Sequence, residues 1–253
     1  MAKGQQSRAL NGPELIRLLA RLTDVDVPDS GQSLADRLSQ WLSWTDAITL
    51  SAALSASPPA VAPGARPAGS DAETMCGRAR TALVKAIAAT CTPDARSNGV
   101  ARTPVHSATA ATAAMVEAVD YADFRQRYVS MQQAMEMDIG NLRGRLRRAV
   151  AAKTPGLARL AVLDASMEQA LSMHERTLLA SVPTLLGRYF ERLRATEQQR
   201  QADQADTLDE RASSASSSTW VNAFRKDMQS VLLAELDVRF QPVEGLLAAL
   251  RTR

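Results

Sequence analysis

The chain has 253 residues and a formal net charge of +3, long enough to bury a sizeable core in one or two domains. Aromatic residues make up only 4% while Ala and Leu abound, and runs rich in Val, Ile, Thr and Tyr are missing, which argues against a sheet. No stretch approaches the roughly eighteen consecutive apolar residues of a membrane span. The start, MAKGQQSRALNG, lacks the apolar core of a secretory signal, so a cytoplasmic, all-helical protein is expected. Its basic side is almost all Arg, with Lys only at Lys3, Lys85, Lys153 and Lys226. Arg excess with abundant Ala also follows from GC-rich coding, so the calculated pI of about 9.1 is a faint pointer to nucleic acid.

Residues 1–56 read as an N-terminal helical segment. Asn11-Gly12-Pro13 launches a short helix with Leu15, Ile16, Leu18, Leu19 and Leu22 on its apolar face. Asp24 to Gly31 is a loop. Its three Asp residues evoke calcium, but Pro28 takes a ligand position and Ala35 stands where the closing Glu belongs. Ser33-Leu34-Ala35-Asp36 resembles a capping box, and the helix it starts carries Leu34, Leu38, Trp41, Leu42, Trp44, Ile48 and Leu50. Two Trp within one turn are either core anchors or partner hot spots.

Residues 57–70, in SPPAVAPGARPAGS, read as a flexible linker. Residues 71–91 return to helix, with Met75, Leu83, Val84 and Ile87 on a modest face. Cys76 and Cys91 sit near its two ends, fifteen residues apart or roughly 22 Å at helical rise, too far for a disulfide. Residues 92–112 form a second linker, and His106 within it reads as solvated.

The longest helical pattern lies in residues 113–204, a long antiparallel hairpin with arms over about 119–200. In the first arm Tyr121, Phe124, Tyr128, Met131, Met135, Leu142 and Leu146 share one face, with the stripe drifting to Ile139 where Asp138 occupies the heptad position. In the second, Leu160, Leu163, Met167, Leu171, His174, Leu178, Val182, Leu185, Tyr189 and Leu193 form a stripe with an eleven-residue repeat, the mark of a straight helix. Thr154 is expected as N-cap and Pro155 at the first helical position of that arm. Pro183 is expected to kink it rather than divide it.

Residues 205–218 read as a linker, and residues 219–253 as amphipathic helices with Trp220, Phe224, Met228, Val231, Leu232, Leu236 and Phe240 at helical spacing and a break at Gln241-Pro242. This terminal segment either folds back on the hairpin or binds a partner. The fold class is therefore all-α: a long hairpin with shorter helices packed on it and disordered Pro/Ala/Ser-rich linkers.

Chemistry is sparse. Hydrolase, phosphate-loop, dinucleotide and zinc motifs are missing, and neither His follows a Glu by three residues as a helical di-iron site requires. No catalytic, cofactor-binding or metal-ligating residue is assigned, and no small-molecule substrate. His174 reads as a satisfied core or interface histidine. Two surfaces remain. Trp41, Trp44, Trp220 and Phe224 are candidate contacts for a protein partner or for self-association. Arg143, Arg145, Arg147 and Arg148 form a collar that could track a phosphate backbone, or simply complement the helix C-terminus and keep the hairpin tip solvated.

Three blocks, PELIRLLARLTDVDVPDSGQSLADRLSQWLSWTDAI, RYVSMQQAME and VLLAELDVRFQPVEGLLAAL, resemble an uncharacterised proteobacterial domain-of-unknown-function family of about this length. The likeness covers most of the chain outside the linkers and brings no catalytic residues. It implies a cytoplasmic accessory role beside an envelope complex, one with a stator-like proton channel and a peptidoglycan-binding protein. The expected function is a non-enzymatic helical adaptor, with nucleic-acid binding through the arginine collar as the alternative.

Overall fold

The structure is a computed structural model that describes residues 14–24, 33–55, 69–92, 120–205 and 210–251. The expected linkers 57–70 and 92–112 lie outside these residues apart from their helical or turn ends. The described residues form eight helices and no strand: α1 (Glu14–Thr23), α2 (Leu34–Trp41), α3 (Trp44–Ser55), α4 (Gly69–Cys91), α5 (Tyr121–Ala151), α6 (Pro155–Ala180), α7 (Val182–Ala205) and α8 (Glu210–Arg251).

The hairpin is present. Helix α5 is capped by Asp120, whose side chain accepts from the Ala122 N–H at 3.0 Å. It buries Phe124, Tyr128, Met131, Met135, Ile139, Leu142, Leu146 and Val150, the drifting stripe read from the sequence. Thr154 caps α6 by accepting from the Leu157 N–H at 3.2 Å, with Pro155 in the first turn. Helix α8 packs along α5, and α4 packs against both, so a four-layered bundle of α4, α5, α6–α7 and α8 surrounds one core, with α1 closing the end formed by α7 and α8.

Three expectations are corrected. The helix expected from Leu34 through Leu50 is two helices. Leu42 is extended (φ −81°, ψ 123°), and Ser43 starts α3 with its own capping box, accepting from the Asp46 N–H at 3.2 Å while donating to Asp46 Oδ2 at 2.6 Å. A second cap inside an apolar run stops one helix and nucleates the next. The second arm bends at Ser181 as expected from Pro183: Ser181 keeps helical dihedrals (φ −75°, ψ −24°), and the Leu185 N–H still donates to its carbonyl at 3.2 Å, so α6 and α7 are two limbs of one bent helix. Pro183 has no N–H to offer the carbonyl of Leu179, and Gln132 Nε2 donates to that carbonyl instead at 3.1 Å. Helix α8 starts at Glu210, inside the span expected as linker, because extending a nucleated helix through Ala- and Ser-rich sequence costs little per residue. It also runs through Pro242 without a break. Phe240, Val243, Leu246 and Leu250 are buried on both sides of that proline, and this packing offsets its cost of about 3 kcal/mol.

The α6 stripe also points elsewhere than a hairpin seam would require. Toward the bundle α6 buries Ala158 and Ala161, small residues that let the helix axes approach, and Leu179. Its leucine stripe faces outward. Leu163, Met167, Leu171 and His174 are half-buried and Leu178 is 57% exposed. Helix α3 packs on this outer side.

Candidate functional site

Helix α3 carries one charged residue, Asp46, and that carboxylate is spent on the helix cap. Hydrogen bonds from the Ser43 hydroxyl and backbone N–H hold its pKa below the usual value. The remainder of the helix is apolar or hydroxylated, yet only Ala53 is buried. Trp44 is 81% exposed, Leu54 56% and Ile48 53%. Trp44, Ala47, Ile48, Ser51, Ala52 and Ser55 line an open depression along one face of the helix. The exposed side of α3 is thus apolar, with its indole in solvent and its one carboxylate at the capped end.

The other three candidate contacts sit elsewhere. Trp41, half-buried at the end of α2, stacks on His174 of α6 with ring centroids 5.8 Å apart and planes 19° from parallel. The Trp41 carbonyl accepts a hydrogen bond from His174 Nε2–H at 2.9 Å, which fixes that nitrogen as the protonated one. Trp41 thus joins α2 to α6. Trp220 and Phe224 are buried in the core, where Phe224 meets Phe124 at 5.1 Å and Phe190 meets Trp220 at 5.1 Å. The terminal helix is folded onto the hairpin as part of the core, so the four aromatic candidates do not form one surface.

The arginine collar divides in the same way. Arg143 donates to Asp164 at 2.6 and 2.9 Å and to Glu168 at 3.4 Å. Arg147 donates to Asp164 at 2.7 Å and makes a very short bond to Glu168. Burial works against ionising Asp164, but the two guanidinium groups outweigh it and hold the carboxyl below its ordinary pKa. Arg143 and Arg147 therefore clamp α5 to α6. Arg145 and Arg148 face solvent, with no ion pair among the described residues.

A third constellation escaped sequence reasoning. Glu235 of α8 is fully buried and accepts from Tyr128 Oη at 2.7 Å, from Gln132 Nε2 at 3.0 Å and from Arg239 Nε at 2.9 Å. Arg239 reaches on to Glu175 of α6 at 3.2 Å. Burial, reinforced by the adjacent Glu235 carboxylate, pushes the Tyr128 pKa well up. Every buried side-chain polar atom among the described residues has a partner. The network ties α5, α6 and α8 together beside the Pro183 bend, with Glu235 at its buried centre and Glu175 at its half-exposed edge. The signal in the sequence was the four-residue row Val231, Glu235, Arg239, Val243: two charged residues between two buried valines.

Remaining chemistry is inert in geometry. Cys76 and Cys91 are buried free thiols, and burial raises the Cys91 pKa to about 11. No group of three or more His, Cys, Asp or Glu is placed to hold a metal among the described residues. No helix among them is long and apolar enough to cross a membrane.

The fold and this surface define an all-helical bundle stapled by a buried polar network, with one apolar helix displayed on its flank. The chain belongs to the family described as "Protein of unknown function (DUF3348)", whose model matches residues 1–252. No curated protein and no solved structure matches it.

Proposed function

We propose that this protein is a non-enzymatic helical adaptor that engages a protein partner, or a second copy of itself, through the exposed face of α3. The observation that carries the reading is Trp44, 81% exposed on a helix whose single charge is consumed by its own cap. Trp is the side chain most enriched among residues that dominate interface energies, and its large apolar area is costly to leave in water. Arg143 and Arg147 are committed to Asp164 and Glu168, which leaves half of the collar for the nucleic-acid alternative. We assign the adaptor to the cytoplasmic side of an envelope proton-channel-type complex, the setting implied by the family resemblance. The test is binding by Trp44→Ala and Ile48→Ala variants. Loss of the partner with the bundle's helicity and melting unchanged supports the α3 contact, and unchanged binding refutes it.

A further inference from the structure

Helix α6 carries two apolar edges, one turned to the core and one beside it. The side facing α5 carries Ala158, Ala161, Asp164 and Glu168, held by Arg143 and Arg147. Beside it, round the helix, Leu160, Leu163, Met167, Leu171, His174 and Leu178 form a stripe at the three- and four-residue spacing of a helix-binding seam, and Leu163, Met167, Leu171 and His174 in it are half-buried. A stripe of this length needs a cover. Helix α3 packs on it, and the Trp41–His174 stack and hydrogen bond mark where it docks.

The cover is held lightly. Ala53 is the single buried residue of α3, and the long apolar side chains Trp44, Ile48 and Leu54 point out. No ion pair within 4 Å joins α2 or α3 to the bundle among the described residues; Asp46 and His174 interact electrostatically at longer range. The bundle beneath is held otherwise, by buried aromatics, the Glu235 network and the α5–α6 clamp.

We infer that α2–α3 is a displaceable lid: a tethered helix pair that occupies the α6 stripe in the closed state and uncovers it on release. The inference builds on the α3 contact proposed above and assigns it a regulation. Closed, the protein offers only the outer face of α3. Open, it offers the α6 stripe and the inner side of α3 as well. A partner that draws α3 away by Trp44 and Ile48 gains the α6 stripe as a second surface. Opening is a local transition that leaves the bundle intact.

Hydrogen exchange on the full chain, read segment by segment beside the fluorescence of an added apolar dye, tests this without any partner. In the wild type, α2–α3 amides should exchange faster than those of α5 and α8. His174→Ala removes one ring stack and one hydrogen bond, and should speed exchange in α2–α3 roughly tenfold while α5 and α8 stay unchanged. Dye fluorescence should rise as Leu163, Met167 and Leu171 are uncovered. His174→Gln, which keeps an N–H donor, should fall between. Exchange of α2–α3 in step with α5 and α8, or no response to His174→Ala, would overturn the lid. Trp44→Ala separates the two ideas: it should abolish partner binding while exchange of α2–α3 stays at the wild-type rate.

Discussion

Replacing Glu235 with Leu should be among the most damaging single changes in the bundle. The substitution removes the acceptor shared by Tyr128, Gln132 and Arg239. Arg239, with its side chain 7% exposed, would keep only Glu175 at 3.2 Å, a half-exposed partner on another helix. The fully buried Tyr128 hydroxyl would have no acceptor. Breaking a buried pair from one side costs about 3–5 kcal/mol because the other charge stays buried, and total stability of a domain is only about 5–15 kcal/mol. Removing the whole constellation is different. In Tyr128→Phe/Glu235→Leu/Arg239→Met no orphaned charge or hydroxyl remains, and stability should return to within about 1 kcal/mol of wild type or exceed it. Urea unfolding followed by helical circular dichroism measures both. A loss below about 1 kcal/mol for Glu235→Leu alone would refute the reasoning, since it would mean water reaches the network.

Other perturbations probe the helix packing and the α5–α6 clamp. Gly187→Ala would place a Cβ 2.8 Å from Tyr121 Cε1, on a ring packed against Phe190 and Phe224, and should cost about 1–3 kcal/mol from overpacking. Gly77→Ala has open space around it and should stabilise α4 by about 0.5–1 kcal/mol, so paired thermal melts give opposite signs. Asp164 has a depressed pKa, so the unfolded chain binds its proton first. Its contribution is fully present above the unfolded value near 3.8 and is lost as pH falls through the lower folded value. An acid titration of stability should show this loss in the wild type and a flatter profile in Asp164→Asn. Arg143→Ala should cost about 1.5–3 kcal/mol through its charge-assisted bonds, whereas Arg145→Ala and Arg148→Ala should stay within about 0.5 kcal/mol.

Much of the bundle was legible because long helices leave long records. The face of α5, the Thr154-Pro155 start and the terminal helix with Trp220 and Phe224 all followed from three- and four-residue spacing. Where reading went astray, spacing was present but the partner was unknown. The α6 stripe is real, yet periodicity identifies a face without saying what covers it, and here the cover is α3 instead of α5. Glu235 and Arg239 drew no reading at all, because a single sequence does not show that α8 is buried on several sides. The break at Leu42–Ser43 was written in Ser43 and Asp46, a second capping pair inside a run that apolar residues made look continuous. Trp41 and Trp44, one turn apart, looked alike in sequence. The break between them sends one ring onto His174 and the other into solvent.

The most direct test of the account compares the tagged wild-type protein with Trp44→Ala/Ile48→Ala in capture from the host's lysate, each with and without nuclease. The α3 contact predicts a nuclease-resistant protein partner that is lost from the variant, while both proteins melt alike. A partner retained by the variant would contradict the α3 contact, and recovery that collapses on nuclease treatment would shift the function to Arg145 and Arg148 at the hairpin tip.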